Sequence, residues 1–197
     1  MDNNKFKNIN AIAIIPAKGN STRLPKKNFQ LIKSKTLVEH AIEYAKSSNY
    51  IKKIYVSTDS EEIKTIAKKN NVEARERPEA LLGEAEVADI YVDLLKKIPI
   101  ENITHVVGLQ PDHPDRQNKL DDMLKYFVEK KYMDLFTVNK DGTRNGSVRI
   151  FKAENVITGQ MSRRVGAMLD DCTNVEQQWQ LDIAHKRILE GDYYGKK

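Results

Sequence analysis

The chain has 197 residues, of which 40% are hydrophobic and 31% are charged, a composition that fits one domain over 1–197. No run approaches the ~20 apolar residues that a membrane span needs, and the amino terminus lacks the apolar segment of a signal peptide. Cys172 is the single cysteine, which excludes a disulfide framework and disfavours a zinc finger. We therefore expect a cytoplasmic protein without a membrane partner.

The net charge of +5 comes from 33 basic and 28 acidic side chains. Most of the lysines alternate with acidic residues, as on solvated helix faces, and no pattern of basic and aromatic residues indicates nucleic-acid binding. One basic cluster differs from this alternating pattern. It consists of Arg23, Lys26 and Lys27, which lie between a glycine and an asparagine. We interpret it as part of a phosphate-binding loop and expect no nucleic-acid partner.

Strand-like and helix-like patterns alternate along the chain. The apolar run at 11–15, closed by Pro16, is typical of a strand buried on both faces. We expect Asp59 and Glu62 to form the capping box of a following helix. The other predicted elements are helices near 37–45, 63–67, 87–98, 120–128 and 179–184, and strands near 54–56, 72–74, 105–109, 135–138 and 148–151. This order predicts a single α/β domain with a mainly parallel sheet and helices on both faces.

Polar segments follow three of the predicted strands, at 16–28, 57–59 and 110–116. In an open parallel sheet, ligands bind beyond the carboxyl ends of the strands. Because these three segments leave such ends, we predict that they form one ligand site.

The segment at 16–28 is too long and too polar for a routine turn between strand and helix. Gly19 lets a ligand approach the backbone, the side chains at 20–22 are polar, and cations at 18, 23, 26 and 27 surround them. A triphosphate is stabilised by backbone donors and cations in this combination. The spacing matches neither a Walker A loop nor a Rossmann glycine fingerprint. Without further motifs, a solvated basic loop stays open as an interpretation.

The segment at 15–28, Ile-Pro-Ala-Lys-Gly-Asn-Ser-Thr-Arg-Leu-Pro-Lys-Lys-Asn, resembles the signature of bacterial CMP-sugar synthetases, the acylneuraminate-type cytidylyltransferases. The resemblance continues at 56–59, 77–81 and 109–116, in the order of that family. It implies a Rossmann-like fold of the nucleotide-diphospho-sugar transferase type. It also implies an enzyme that transfers CMP from CTP to an acidic sugar, sialic acid-like or another 2-keto acid sugar, and releases pyrophosphate.

The resemblance also implies roles for individual residues. Lys18 and Lys27 would be catalytic, since they would contact the phosphates and stabilise the leaving group. Gln110, His113 and Arg116 would bind the acceptor. The implied nucleotide-binding residues are Ala17, Lys18, Gly19, Asn20, Ser21, Arg23, Lys27, Asn28 and Arg77.

The metal site departs from the family pattern. Family members hold Mg²⁺ with an aspartate pair before the last helix, but here Cys172 and Asn174 stand at those positions and are poor Mg²⁺ ligands. With Mg²⁺ still implied as the cofactor, we predict Asp112 and Asp171 as its ligands. Asp112 follows a predicted central strand, although it could also simply begin a turn before Pro114.

The chain also lacks the family's dimerisation arm, since only a brief turn at 140–142 precedes Asn145 to Arg149. The expected partners are CTP and a small acidic acceptor, and a homodimer stays open. Two other functions also stay open: a cytidylyltransferase for a phosphate or phosphonate acceptor, and a non-catalytic nucleotide-binding relative.

Overall fold

The computed structural model describes residues 3–82, 86–99, 101–158 and 164–194, which are built around a seven-stranded sheet. Its strands are β1 (Ala11–Pro16), β4 (Ile51–Thr58), β5 (Glu73–Glu76), β6 (His105–Leu109), β7 (Asp134–Val138), β8 (Arg144–Lys152) and β9 (Val165–Leu169), while β2 (Leu31–Ile32) and β3 (Lys35–Thr36) form a separate hairpin. The spatial order is β5-β4-β1-β6-β8-β7-β9. Only β8 runs antiparallel to its neighbours in this sheet.

Helices cover both faces of the sheet. They are α1 (Leu37–Lys46), α2 (Glu61–Lys69), α3 (Val87–Lys97), α4 (Leu120–Glu129), α5 (Ala153–Thr158) and α6 (Gln178–Glu190). Ala13 and Ile15 of β1 pack on one face with α1, α2 and α4, whereas Ile12 and Ile14 pack on the other with α3 and α5. Every residue of β1 is buried. The predicted α/β class and the doubly buried first strand are therefore confirmed.

The sequence predicts a last helix around Trp179, Ile183 and Ala184, and of these three only Ala184 is buried. Leu181, Ala184 and Ile188 of α6 pack against the hairpin and the loop after β1. Trp179 and Ile183 are instead 58% and 43% exposed. The helix itself is confirmed, and it covers the outer side of the loop that was predicted to bind phosphate.

The predicted capping box at Asp59 is wrong. Ser60 is the N-cap of α2, and its hydroxyl accepts the backbone N–H of Ile63 at 3.4 Å. The Asp59 carboxylate instead accepts the backbone N–H of Gly19 at 2.8 Å. Asp59 therefore joins the end of β4 to the loop after β1, which is a role that spacing along the chain does not reveal.

The described part of the chain has no helix with the length and apolar character to cross a bilayer.

Candidate active site

The loops after β1, β5 and β6 meet in one pocket at the carboxyl edge of the sheet. Of the three polar segments predicted to form the site, those at 16–28 and 110–116 line this pocket, whereas the segment at 57–59 does not. The side chains that give this pocket its polar character are Lys18, Ser21, Lys27, Asn28, Arg77, Gln110 and Asp112. Apolar residues at 81, 87 and 90 form the opposite wall. We call this the nucleotide pocket.

A tight turn in the loop after β1 places two of these side chains. Lys26 has a left-handed backbone (φ 51°) and precedes a 3₁₀ turn at Lys27–Phe29. The buried Asn28 amide donates to the Lys18 carbonyl at 2.8 Å. Asn28 therefore lines the pocket and also fixes the backbone on which Lys18 is carried.

Four residues predicted to bind nucleotide do not line the pocket. Ala17 is buried and its backbone N–H donates to the Ser57 carbonyl at 2.9 Å. The backbone N–H of Gly19 is taken by Asp59, Asn20 is exposed, and Arg23 forms an ion pair with Glu176. Ala17, Gly19 and Arg23 thus hold the loop in place in this state, and a nucleotide contact for each of the four stays a prediction.

Two buried donors in the nucleotide pocket have no hydrogen-bond partner within the described residues. They are the Ser21 hydroxyl and Nε of Arg77. Arg77 is held by a hydrogen bond from its guanidinium to the Ser57 carbonyl at 2.8 Å. Desolvation lowers the pKa of Arg77 and the Asp59 charge opposes it, so the side chain stays a cation. Because buried polar atoms are normally paired, these donors indicate a place for ligand oxygens.

Lys27 and Asp112 form a largely buried ion pair at the centre of the pocket. Lys27 Nζ lies 2.6 Å from Asp112 Oδ2, and the two side chains are 16% and 14% exposed. His113 Nδ1 donates to the other carboxylate oxygen at 2.9 Å. Burial alone would raise the pKa of Asp112, but the hydrogen bond from His113 and the neighbouring Lys27 ammonium together hold this pKa well below its usual range. Asp112 is therefore a carboxylate at neutral pH.

Two of the three residues predicted to bind the acceptor do not line the nucleotide pocket. Arg116 is fully buried, donates to the carbonyls of Gln110 at 2.6 Å and Ser147 at 3.0 Å, and lies over the Tyr44 ring. His113 is 1% exposed and hydrogen-bonds Asp112. Neither side chain lines the pocket, and both position neighbouring groups, so an acceptor contact for either one stays a prediction. Gln110 does line the pocket.

The predicted second metal ligand also lies outside the pocket lining. The Asp171 carboxylate pairs with Lys140 at 2.9 Å. Its neighbour Asp170 is fully buried and accepts hydrogen bonds from the 117–118 backbone and the Ser147 hydroxyl. No contact in the described chain supports Asp171 as a metal ligand. That role stays a prediction.

Asp112 alone of the predicted metal ligands lines the nucleotide pocket. Within the described ranges, no cluster of three or more His, Cys, Asp or Glu side chains could hold a metal ion. A single carboxylate fits a Mg²⁺ ion that takes its other ligands from phosphate and water. The donor set is therefore compatible with magnesium only when a nucleotide is also present.

Cys172, at the position of a family aspartate, is buried, and burial raises the pKa of its thiol well above the usual range. The thiol is therefore protonated at neutral pH and does not offer the thiolate that metals bind. This agrees with its exclusion from the predicted ligand set.

A second pocket adjoins the first and contains residues that the sequence interpretation did not single out. Its polar and aromatic lining includes Tyr91, Gln110, Phe136, Arg144 and Arg149. Gln110 and Val87 line both pockets, which makes them contiguous. We call this the arginine pocket.

The chain matches the cytidylyltransferase family model over residues 12–179. The chain belongs to the cytidylyltransferase family. This match continues beyond the four motifs and includes β7, β8, β9 and the start of α6. The family prediction is therefore confirmed, and the match extends it into the part of the chain where the motifs are weak.

Curated relatives of this family member are similar over part of their length. A 3-deoxy-manno-octulosonate cytidylyltransferase of Rickettsia typhi is 37% identical over 55% of this chain and 44% of its own. A CMP-N,N'-diacetyllegionaminic acid synthase of Legionella pneumophila is 36% identical over 54% of this chain and 47% of its own. The chain thus spans about half the length of the curated relatives it matches.

Solved structures show the same fold. A CMP:2-keto-3-deoxy-manno-octonic acid synthetase complexed with CTP has a TM-score of 0.71 at 14% identity, covering 92% of this chain and 99% of the other. A cytidylyltransferase of Leptospira borgpetersenii has a TM-score of 0.71 at 19% identity, covering 92% and 87%. The predicted nucleotide-diphospho-sugar transferase-like fold is confirmed.

Several residues that organise the site of this family member have no local signal in the sequence. Asp115 is fully buried and pairs with Arg187 of α6 at 2.9 Å, which ties the loop after β6 to the last helix. The backbone N–H of Val175 donates to the Asp112 carbonyl at 2.8 Å. A buried charge at Asp115 signals a partner, but only the fold shows which one.

Proposed function

We propose that the protein is a CTP-dependent cytidylyltransferase that transfers CMP to an acidic sugar and releases pyrophosphate. The observation that carries this proposal is the nucleotide pocket, in which two unpartnered buried donors, on Ser21 and Arg77, lie with the cations Lys18 and Lys27. Membership of the cytidylyltransferase family supports CTP as the nucleotide. The relatives named for octulosonate and legionaminic acid support a 2-keto acid sugar as the acceptor.

In the proposed reaction an acceptor hydroxyl oxygen forms a bond to the α-phosphorus of CTP. The bond from that phosphorus to the bridging oxygen of the β-phosphate breaks, pyrophosphate leaves, and the hydroxyl proton passes to water. Lys18 and Lys27 offset the charge that develops on the phosphate oxygens, while Asn28 keeps the Lys18 backbone in place. Catalysis in this scheme depends on positioning and charge and not on a covalent intermediate.

Magnesium would be held by Asp112, together with phosphate oxygens and water. When bound, Mg²⁺ supplies charge neutralisation on the triphosphate. Asp112 is suited to this role because it is ionised and lies beside Lys27 in the same pocket. Asp171 is the weaker candidate, since its carboxylate contacts Lys140.

Pyrophosphate release from CTP and Mg²⁺ tests the proposal. The acceptor panel contains 3-deoxy-manno-octulosonate, N,N'-diacetyllegionaminate, N-acetylneuraminate and a sugar 1-phosphate, with a reaction lacking acceptor as the control. We expect release only with a 2-keto acid sugar. Release with the sugar phosphate alone would favour the phosphate-acceptor alternative. Tight CTP binding without release for any acceptor would favour a non-catalytic relative.

A further inference from the structure

Asp115 is a fully buried carboxylate that takes no part in the proposed reaction. It lies three residues after Asp112 in the loop that follows β6, and it is not among the described residues that line the nucleotide pocket or the arginine pocket. A carboxylate loses its hydration on burial, so it is stable in a protein interior only when charged or hydrogen-bonding groups replace the water. Those groups show what this carboxylate is attached to.

The groups around Asp115 come from the segment before α6 and from α6 itself. Oδ1 of Asp115 accepts the backbone N–H of Thr173 at 2.8 Å, and Oδ2 accepts the Thr173 hydroxyl at 2.8 Å. The guanidinium of Arg187 in α6 lies 2.9 Å from the same Oδ2. Desolvation raises the pKa of Asp115, and the charge of Arg187 and the hydrogen bonds from Thr173 oppose that rise. Both oxygens are therefore held by residues that lie far along the chain.

The same segment also holds the backbone of Asp112. The Val175 N–H donates to the Asp112 carbonyl at 2.8 Å, and the Val175 side chain is buried in the apolar cluster with α6. The loop is thus attached to the segment at 173–175 at two points, the Asp112 carbonyl and the Asp115 carboxylate. Pro114 lies between these points and its φ is fixed by the ring. A displacement of the Asp115 end would therefore move the backbone of Asp112.

The segment at 172–174 is also where the aspartate pair of the family is expected. Cys172 and Asn174 stand at those positions, with Thr173 between them. What this segment contributes to the site is a set of hydrogen bonds to the loop that carries Asp112. Asp112 is the one predicted magnesium ligand that lines the nucleotide pocket. The position of this carboxylate therefore decides how well the ion is held, and an error of about 0.5 Å is enough to weaken such a site.

We propose that Asp115 is a positioning residue for the magnesium site. Together with Thr173 and Arg187 it fixes the loop that carries Asp112, and it thereby sets the affinity of the CTP-bound protein for Mg²⁺. Asp115 acts through Asp112 and has no contact of its own with the metal or the nucleotide. The inference rests on the proposed function, because it deepens the assignment of Asp112 as the magnesium ligand.

The test compares Asp115→Asn with Asp192→Asn as a matched control. Asp192 is the other carboxylate partner of Arg187, at 3.0 Å, but it lies after α6 and is 49% exposed. Titration calorimetry measures CTP binding at a series of Mg²⁺ concentrations and in the presence of a chelator. We expect Asp115→Asn to raise the Mg²⁺ concentration for half-maximal CTP binding about 10-fold, as when a charged hydrogen bond is weakened. CTP binding in chelator should stay unchanged, and Asp192→Asn should behave like the parent.

A purely structural role of Asp115 would give a different result. Loss of stability lowers the fraction of folded protein and hence the binding stoichiometry, but it leaves the Mg²⁺ dependence of the folded molecules unchanged. With a positioning role, excess Mg²⁺ should restore the CTP affinity of Asp115→Asn to that of the parent. Equal Mg²⁺ dependence of Asp115→Asn and Asp192→Asn would overturn the inference.

Thr173→Val provides a second variant if Asp115→Asn does not fold. It removes only the hydroxyl hydrogen bond and keeps the ion pair with Arg187. We expect it to raise the Mg²⁺ concentration for half-maximal CTP binding about 3-fold, the usual effect of losing a neutral donor. An unchanged Mg²⁺ dependence of Thr173→Val would then overturn the inference.

A double variant tests whether Asp115 acts through Asp112. In the Asp112→Asn background, Asp115→Asn should not change the CTP affinity further, because residues that act through one another are not additive. An effect of the same size as in the parent would overturn the inference, as would parental CTP binding that is independent of Mg²⁺. All of these measurements omit the acceptor. Failure of every acceptor to release pyrophosphate would therefore count against the proposed function and leave this test intact.

Discussion

Lys18 and Lys27 both line the nucleotide pocket, but they differ in what they contact. Lys27 is paired with Asp112, whereas no carboxylate of the described chain lies within ion-pair distance of Lys18. A cation without an ion-pair partner interacts only with a bound ligand, whereas a cation in an ion pair also stabilises the folded protein through its carboxylate partner. The two residues should therefore be separable by combined kinetic and stability measurements.

We expect Lys18→Ala to lower kcat/KM by about 10²–10³, the usual cost of losing one preorganised charge contact, without changing the free energy of unfolding. Lys27→Ala should lower the rate similarly and also cost about 1–3 kcal/mol of stability, because Asp112 loses a partner in a largely buried place. Steady-state kinetics and urea unfolding measure the two effects. Parental turnover in both variants would contradict the assignment of this loop.

The carboxylate of Asp112 provides a second test at this scale. We expect Asp112→Asn to abolish transfer and to remove the part of CTP binding that depends on Mg²⁺, because an amide oxygen is a weaker ligand for a hard cation. CTP binding in the presence of a chelator should change little. Calorimetric titrations with and without Mg²⁺ measure this difference. Cys172→Ser is the control, and its activity and CTP affinity should be close to those of the parent. Full activity of Asp112→Asn would refute the role of Asp112 as a magnesium ligand.

The secondary-structure elements that the sequence predicted are those with strong periodicity. Strand β1 and helices α1, α3 and α4 all have apolar stripes that become core. The elements that were not predicted are short or lie at an edge. Strand β9 is an edge strand that begins with an exposed valine and contains Gly166, and the β2–β3 hairpin has two residues on each side. Such elements are determined by tertiary contacts, and their local pattern is weak.

Asp170 makes tertiary contacts that its local sequence does not indicate. Its carboxylate accepts the backbone N–H groups of Gln117 at 2.8 Å and Asn118 at 3.2 Å and the Ser147 hydroxyl at 2.6 Å. It therefore joins the end of β9 to the segment before α4 and to β8. The sequence predicts Asp171 as a metal ligand and has no local signal that Asp170 is the buried carboxylate of the two.

We expect Asp170→Ala to destabilise the protein by about 3 kcal/mol, because several buried donors lose their acceptor at once. Asp171→Ala is the matched control. Its carboxylate is one-third exposed and pairs with a mostly exposed lysine, so its loss should change stability by less than about 1 kcal/mol. Urea unfolding followed by circular dichroism compares the two variants. Equal midpoints would contradict the structural role of Asp170.

At the scale of the whole molecule, the sequence predicted where the site lies better than how it is built. Polar strand ends located the nucleotide pocket, because parallel strands end at a common edge. Two features were not predictable from the sequence. One is the burial of Arg116, and the other is the position of Arg144 and Arg149 in the same pocket. The first depends on contacts with α1 and β8, which are far away in the sequence, and the second depends on the register shift between β7 and β8.

Ligand binding should stabilise the whole chain. At a concentration 100 times its Kd, CTP with Mg²⁺ should add about 2.7 kcal/mol to the free energy of unfolding, which corresponds to a rise in Tm of roughly 5–10 °C for a chain of this size. Differential scanning fluorimetry with CTP, UTP, ATP and GTP measures this shift. We expect the largest shift with CTP and a smaller one after chelation. A larger shift with a purine nucleotide would contradict the cytidylyl assignment.

The antiparallel direction of β8 has a consequence for how such a protein can change during evolution. Strand β7 ends and β8 begins at the edge where β1 and β6 end, and a turn at 139–143 with Gly142 at φ +83° joins them. Residues inserted in this turn would extend over the arginine pocket without crossing the sheet. The loops after β1, β5 and β6, which form most of the nucleotide pocket, would keep their connections. The fold therefore allows a lineage to exchange one substrate while it retains the other.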